Sequence, residues 1–191
     1  PRLYQANAVE KITEYYDNEN HDKCIINMAC GTGKTSTAYW IDKKMDNNVT
    51  IIVVPSLNLL TQFYNEWASY LANDNIIYDV LLIGTELDTS KNNEMDFLFT
   101  TKSDAIELFL NTYSGAQRNK LIIFTTYQSS DKLATILQKL KFVVDICIFD
   151  EAHRTSSNVE NSKFKALMNK EVNIKKRLFM TATCKVYVQN N

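Results

Sequence analysis

The segment Cys24–Thr35 reads Cys-Ile-Ile-Asn-Met-Ala-Cys-Gly-Thr-Gly-Lys-Thr and joins an apolar run to a glycine turn. Its apolar part predicts a short strand over Cys24–Met28. The residues after the turn predict a helix from Lys34 to about Met45. A strand, a glycine turn and a helix in this order are typical of the first unit of an α/β fold.

The turn within this segment has the composition of a phosphate-binding loop. Gly31 and Gly33 allow the backbone to curl until several N–H groups face one anion, and the helix start adds unpaired donors. Lys34 is placed to reach the β- and γ-phosphates, and the Thr35 hydroxyl to ligate Mg²⁺. The consensus Gly-x4-Gly-Lys-Ser/Thr has glycine where this chain has Met28. An ordinary glycine turn before a helix therefore stays open as the alternative.

Apolar runs and helical spacing then predict a regular alternation of strands and helices. The expected strands are Cys24–Met28, Thr50–Val54, Asp79–Ile83, Phe97–Phe99, Leu121–Phe124, Phe142–Phe149 and Arg177–Met180. Helices are expected through Val9–Tyr16, Lys34–Met45, Leu60–Leu71, Ile106–Tyr113 and Leu133–Leu140, and around Phe164–Met168. Because most strands are continuously apolar, both faces of the sheet should be buried. We predict one α/β domain over 1–191, with a mostly parallel sheet of about seven strands and helices on both faces.

A second polar motif, Asp150-Glu151-Ala152-His153, directly follows the predicted strand Phe142–Phe149. Ligands of parallel sheets bind beyond the carboxyl ends of the strands, so this motif and the phosphate loop should share a crevice. The expectation is that the first and sixth strands end side by side. Asp150 can then hold Mg²⁺ through water, and Glu151 can act as general base toward the attacking water. The alternative is a solvated charged loop.

Composition excludes several classes of protein. The 191 residues carry a formal net charge of −1, so no global positive field indicates a nucleic-acid partner, although a local binding face remains possible. No apolar run approaches the roughly 20 residues that span a bilayer. With two histidines and no Cys-x-x-Cys pair, neither a zinc cluster nor a disulfide framework is expected. We expect an intracellular protein, cytoplasmic or viral, that is not secreted.

In their order, these motifs resemble the first RecA-like motor domain of a superfamily 2 helicase with a DEAH-type acidic motif. The motifs that carry the resemblance are Arg2–Gln5, Met28–Thr35, Val54–Leu57, Thr125–Ser129, Asp150–His153 and Thr181–Thr183. They cover essentially the whole chain and are most similar to the motors of restriction translocases and of helicases from large DNA viruses.

The resemblance implies a set of site residues. The ATP-binding residues would be Arg2, Gln5, Cys30, Gly31, Thr32, Gly33, Lys34 and Thr35. Thr35 and Asp150 would hold Mg²⁺, and Glu151, Lys34 and Asp150 would be catalytic. Coupling of the ATP state to nucleic acid would involve His153, Thr181 and Thr183. Nucleic acid would be contacted by Ser56, Thr100, Thr126 and Gln128, whose alternative role is helix capping or strand-end hydrogen bonding.

The resemblance also implies partners. A motor of this family needs a second RecA-like domain that carries an arginine finger, and such a finger is worth roughly 10³ to 10⁵ in rate. We therefore expect this chain alone to be monomeric, to bind Mg-ATP and to hydrolyse it weakly or not at all. DNA is a more probable track than RNA under this resemblance. A P-loop kinase, a GTPase and a vestigial RecA-like module that binds nucleic acid or a partner are the competing hypotheses.

Overall fold

A computed structural model describes residues 1–29, 31–84, 99–115, 119–152 and 166–182. Within these ranges seven strands form one sheet in which every neighbouring pair is parallel. The strands are β1 (Lys23–Asn27), β2 (Val49–Val54), β3 (Tyr78–Ile83), β4 (Phe99–Thr100), β5 (Lys120–Thr126), β6 (Val144–Phe149) and β7 (Ile174–Thr181). The prediction of an α/β domain with about seven strands is confirmed.

The described part of the chain contains five α-helices, of which the first precedes β1 and the other four lie between strands. They are α1 (Leu3–Asp17), α2 (Lys34–Lys44), α3 (Leu57–Asn73), α4 (Ser103–Gly115) and α5 (Ser130–Leu140). A short 3-10 turn, Tyr127–Ser129, lies between β5 and α5. None of the helices in the described ranges is both long and apolar enough to cross a bilayer.

The core has two halves, one on each face of the sheet. Helices α1, α2 and α3 cover one face, where Trp67 and Leu60 are fully buried. Helices α4 and α5 cover the other, where Ile106 and Leu137 are fully buried. Strand β6 contributes to both halves, because Ile148 faces the first and Phe149 the second. Burial on both faces explains why the central strands are continuously apolar.

The strand order is β1-β7-β6-β2-β5-β3-β4. The prediction that the first and sixth strands end side by side is therefore wrong, because β7 lies between them and pairs with both. The sequence predicts all seven strands, but it does not predict that β7 lies between β1 and β6, the two strands that precede the motifs. Right-handed crossovers constrain the hand of each connection and leave the strand order open.

The bounds of most elements differ from the predictions by a few residues; β7, for example, covers Ile174–Thr181 where the sequence predicts Arg177–Met180. Three further differences involve a defined contact or residues that are not described. Strand β6 begins at Val144, because Lys141 has a positive φ of 50° and the Phe142 amide still donates to the Leu137 carbonyl at 2.9 Å. Strand β4 covers Phe99–Thr100, and residues 97 and 98 lie outside the described ranges. Of the predicted helix around Phe164–Met168, residues 166–168 form a 3-10 turn and 164–165 are not described.

Candidate functional site

The glycine turn after β1 has the backbone geometry that a phosphate loop needs. Gly31 has φ 73° and Gly33 has φ 82°, both in the left-handed region that favours glycine. A Cβ on Gly33 would lie 2.4 Å from Gln5 Nε2, whereas a Cβ on Gly31 would meet no atom within 4 Å. Gly33 is thus fixed by both conformation and close packing. Gly33 also precedes α2 directly, so the free N–H groups of the first helical turn face the loop.

The start of α1 is bound to this loop through two side chains. Gln5, 5% exposed, donates from Nε2 to the Thr32 carbonyl at 3.1 Å and accepts the Arg2 amide on Oε1 at 2.8 Å. The Tyr4 hydroxyl donates to the same Thr32 carbonyl at 2.8 Å. Arg2 is exposed at the N-cap of α1. Gln5 therefore lies against the phosphate loop, and its role in adenine recognition stays a prediction.

The acidic turn after β6 meets the phosphate loop directly. Lys34 Nζ and Glu151 Oε1 are 2.7 Å apart, and their side chains are only 11% and 19% exposed. Asp150, 6% exposed, donates its amide to the Val53 carbonyl at 2.9 Å. Glu151 has φ 51°, which is uncommon for a residue with a side chain. The structure thus brings together the two motifs that the sequence placed 117 residues apart.

The chemistry of the donors around this crevice fits Mg²⁺ bound to a triphosphate. The Thr35 hydroxyl, in the first turn of α2, and the Asp150 carboxylate supply oxygen atoms, which this ion prefers. Among the described residues, no group of three or more His, Cys, Asp and Glu is arranged to hold a metal without help. A magnesium ion here would therefore share its ligands among protein, phosphate and water.

Strand β7, which lies between β1 and β6, carries Thr181 of the predicted coupling motif at its end. Thr181, 5% exposed at the end of β7, accepts the Met28 amide on its carbonyl at 3.0 Å. Met28 is the first residue after β1 and lies three residues before Gly31, the first glycine of the phosphate loop. A displacement of the end of β7 would therefore act on the start of the phosphate loop.

The four predicted nucleic-acid contacts lie at or just after the carboxyl ends of β2, β4 and β5, at the same edge of the sheet as the phosphate loop. Ser56 is exposed at the N-cap of α3, where its Oγ accepts the Leu59 amide at 3.4 Å. Thr100 is half-buried, and its Oγ1 accepts the Lys102 amide at 3.2 Å. Thr126 is 5% exposed and donates to Ser129, whereas Gln128 is exposed. The structure shows a helix cap at Ser56 and local hydrogen bonds at Thr100 and Thr126, and the nucleic-acid contacts stay predictions.

Three of the predicted site residues, Cys30, His153 and Thr183, lie outside the described residues. Three others that contact the site were missed in the sequence. Tyr4 contacts Thr32, Trp67 donates its indole N–H to the Thr35 carbonyl at 3.1 Å, and Tyr127 donates to the Asp150 carbonyl at 2.8 Å. Tyr4 and Tyr127 stand inside motifs, which is a usable signal, but the partner of Trp67 depends on tertiary packing.

Comparisons with known proteins give the family. The family model ResIII, described as "Type III restriction enzyme, res subunit", matches residues 1–186. A protein named "Probable helicase A859L" from African swine fever virus (isolate Tick/South Africa/Pretoriuskop Pr4/1996) is 31% identical over 188 residues. That alignment covers 95% of this chain and 19% of the viral protein, so the chain spans about a fifth of that relative's length.

Solved structures give the same result. The chain is similar to a nuclease-deletion mutant of the Type ISP restriction-modification enzyme LlaGI in complex with a DNA substrate mimic. The TM-score is 0.77 at 29% identity, over 98% of this chain and 18% of that one. For the ATP-dependent Type ISP enzyme LlaBIII bound to DNA, the TM-score is 0.76 at 27% identity, over 96% and 12%.

A more distant neighbour supports the fold alone. The Sulfolobus solfataricus SWI2/SNF2 ATPase core in complex with dsDNA has a TM-score of 0.56 at 19% identity, over 96% of this chain and 32% of that one. Together with the motifs and the crevice between Lys34 and Glu151, these matches confirm the resemblance that the sequence indicated. The chain belongs to the ResIII family and forms the first RecA-like motor domain of a superfamily 2 helicase.

Proposed function

We propose that this chain binds Mg-ATP in the crevice between the phosphate loop and the acidic turn, and contributes to its hydrolysis. The observation that carries the proposal is the contact of Lys34 Nζ with Glu151 Oε1 at 2.7 Å. It supports the proposal because it brings an ammonium group, which would bind phosphate oxygens, next to a carboxylate, which would activate water, and both side chains are largely buried. Because these side chains are little exposed, the surrounding dielectric is lower than that of water. This strengthens the attraction between the Lys34 ammonium and phosphate oxygens and the basicity of the Glu151 carboxylate.

Each residue has a distinct task in this proposal. Lys34 and the N–H groups of the loop hold the β- and γ-phosphates, and Gln5 and Arg2 bind the adenine end. Glu151 accepts a proton from the attacking water as general base. Thr35 and Asp150 would hold Mg²⁺, which when bound neutralises charge on the phosphate oxygens.

The second part of the proposal concerns nucleic acid. Ser56, Thr100, Thr126 and Gln128 are close in the fold to three helix N-termini, those of α3, α4 and α5. Hydroxyl groups and helix N-termini bind phosphates without reading sequence, which reconciles a net charge of −1 with a nucleic-acid track. We favour DNA over RNA, because the LlaGI and LlaBIII structures contain DNA.

The third part concerns the missing half of the motor. The relatives are about five times longer than the aligned region, and we propose that a second RecA-like domain supplies the arginine finger and the opposing wall of the crevice. The chain alone is then a monomer that turns over ATP weakly. Steady-state hydrolysis by the 191-residue chain, with and without single-stranded DNA, tests this part, and turnover of the order of 1 s⁻¹ or faster would contradict it.

Binding of Mg-ATP is tested by Lys34→Ala against Lys44→Ala. Lys34 lies in the first turn of α2 and Lys44 is exposed in its last turn, so the two variants have similar effects on helix composition. A fluorescent ATP analogue titrated with Mg²⁺ should bind at least tenfold more weakly to Lys34→Ala and normally to Lys44→Ala. Equal affinity in both variants would show that Lys34 does not hold the phosphates. Absence of binding by the unmodified chain would refute nucleotide binding and favour the vestigial binding module.

A further inference from the structure

Tyr127 connects the two candidate surfaces of the domain. It is 2% exposed and opens the 3-10 turn Tyr127–Ser129, which directly follows Thr126 and contains Gln128. Its hydroxyl donates to the Asp150 carbonyl at 2.8 Å. Its ring stacks on Phe149 with centroids 6.5 Å apart and planes at 25°. One buried side chain therefore joins the segment predicted to contact nucleic acid to the acidic turn.

The atom that Tyr127 contacts controls the position of Glu151. The Asp150 carbonyl and the Glu151 amide belong to the same peptide unit. The direction of that carbonyl therefore sets the orientation of the Glu151 amide and, with it, the direction in which the backbone enters Glu151. Glu151 has φ 51°, a conformation that persists only when its surroundings hold it. The bond from the Asp150 amide to the Val53 carbonyl anchors the preceding peptide unit, and Lys34 holds the Glu151 side chain. Tyr127 holds the peptide unit between these two anchors.

We propose that Tyr127 is a positioning residue, which holds the Asp150–Glu151 peptide in the left-handed turn and transmits displacement of the Tyr127–Ser129 turn to Glu151. A nucleic-acid phosphate that shifts this turn would move the Tyr127 hydroxyl and, through it, the carboxylate placed to activate water. By thermodynamic linkage, the state of the acidic turn would alter nucleic-acid binding in return. The inference rests on the proposed function, since it gives Glu151 a partner within that ATPase site.

Tyr127→Phe removes the hydroxyl and keeps the ring, and Tyr113→Phe is a matched control. The Tyr113 hydroxyl also donates to a backbone carbonyl at 2.8 Å, that of Asn119, and Tyr113 is also buried. Tyr113 lies near the end of α4, beside the amino end of β5 and away from the acidic turn. Both variants therefore lose one buried phenol-to-carbonyl hydrogen bond.

The deciding measurement is hydrogen–deuterium exchange of the 191-residue chain, because it requires no turnover. In Tyr127→Phe, exchange in peptides that cover Asp150–Ala152 should rise about three- to tenfold, the range expected for one lost hydrogen bond. In Tyr113→Phe those peptides should be unchanged. A single-stranded DNA oligonucleotide should slow their exchange in the unmodified chain and leave Tyr127→Phe unaffected. In the full-length protein, single-turnover hydrolysis should slow in Tyr127→Phe, with an unchanged Kd for Mg-ATP.

Two results would overturn the inference. The first is exchange at Asp150–Ala152 that is the same in Tyr127→Phe and the unmodified chain, or raised equally by Tyr113→Phe. The second is an oligonucleotide that binds the unmodified chain without any effect on these peptides, which removes the link to nucleic acid. Failure of the unmodified chain to bind Mg-ATP or DNA would instead refute the proposed function, and is seen in titrations made before any variant is compared.

Discussion

At the scale of single residues, Glu151 is held in a conformation that its own side chain disfavours. A left-handed φ of 51° costs a residue with a Cβ of the order of 1 kcal/mol or more. The contacts of Lys34 with its carboxylate and of Tyr127 with the preceding carbonyl offset this strain. The turn aims the carboxylate back over the phosphate loop, where an extended residue after β6 would point elsewhere.

Glu151→Gln separates the shape of this side chain from its basicity. The amide keeps the size of the carboxylate and can still accept a hydrogen bond from Lys34, so affinity for Mg-ATP should change less than threefold. It cannot take a proton from water, so in the full-length protein single-turnover hydrolysis should slow by about 10²- to 10⁴-fold. Glu171→Gln, at an exposed position, is the control. Hydrolysis at an unaltered rate in Glu151→Gln would exclude this carboxylate as the base.

At the scale of elements, α3 packs against α2 next to the candidate nucleotide site. Trp67 of α3 is fully buried, packs edge-on against Tyr39 of α2, and donates to the carbonyl of Thr35 in the first turn of α2. Ser56 caps the other end of α3. Helix α3 therefore begins directly after Ser56, a candidate nucleic-acid contact, and through Trp67 holds the first turn of α2, which carries Thr35, the candidate Mg²⁺ ligand.

Trp67→Phe should destabilise the domain by about 2–4 kcal/mol, because it leaves a cavity and removes the N–H donor to Thr35. Trp40→Phe is the matched control, since Trp40 lies on α2 and is only partly buried. Urea denaturation followed by circular dichroism measures both free energies of unfolding. Equal midpoints for the two variants would show that the indole of Trp67 contributes no more than a partly exposed one.

Strand β6 carries a carboxylate, that of Asp145, which stabilises the edge of the sheet at which the strands begin. Asp145 accepts the amides of Asn48 and Val49 at 2.9 Å each and pairs with Lys175 at 2.7 Å. Burial raises the pKa of Asp145. The hydrogen bonds from Lys175, Val49 and Asn48 together lower it by more than burial raises it, so the pKa lies below the ordinary value. The folded state therefore binds the proton less readily than the unfolded chain.

The sign of this shift makes stability depend on pH. The contribution of Asp145 is fully present above the unfolded value of about 4 and is lost as the pH falls through the lower folded value. Asp145→Asn should lower the free energy of unfolding at pH 7 by about 1–2 kcal/mol and reduce its decline between about pH 5 and 3. The exposed Asp17→Asn is the control, and an equal acid decline in both variants would contradict the assignment.

The sequence predicts elements well where a local pattern determines them. The apolar run before Gly31 and the stripe of Leu60, Phe63, Trp67 and Leu71 each give the correct element, because periodicity reports burial directly. Sequence reasoning fails where a contact between distant segments decides. The start of β6 depends on a left-handed Lys141, and the indole contact of Trp67 with Thr35 depends on how two helices pack.

At the scale of the whole molecule, the strand order makes β7 the bridge between the two chemical motifs. Strand β1 carries the phosphate loop and, in the described part of the sheet, pairs with β7, which also pairs with β6. The sequence places Lys34 and Glu151 after strands and so predicts their shared edge. It does not predict that one strand separates β1 from β6, because the position of β7 is set by long-range pairing rather than by any local signal.

This topology predicts a delay in refolding. Trp67 packs against Phe124 of β5, so its fluorescence reports the α3–β5 part of the core. Nucleotide binding additionally needs β1 to pair with β7, a contact of much greater sequence separation that forms more slowly. In Trp40→Phe, where Trp67 is the only tryptophan, stopped-flow refolding should show recovery of ATP-analogue binding after the fluorescence change.

The control for this experiment is the folded Trp40→Phe chain mixed with the analogue, which gives the rate of binding without refolding. Recovery of binding that coincides with the Trp67 signal would contradict the ordered assembly. It would mean that β1 and β7 join the sheet together with the centre of the core.

The position of β7 also matters while the protein is being made. Roughly 150 residues separate the end of β1 from the start of β7, and a ribosome needs about 7–30 s to add them. Over that interval the nascent β1 has no partner strand, and its backbone N–H and C=O groups are available to other chains. Chaperone dependence during translation should therefore fall once Thr181 has left the exit tunnel, and the candidate nucleotide site should be the last part of the domain to form.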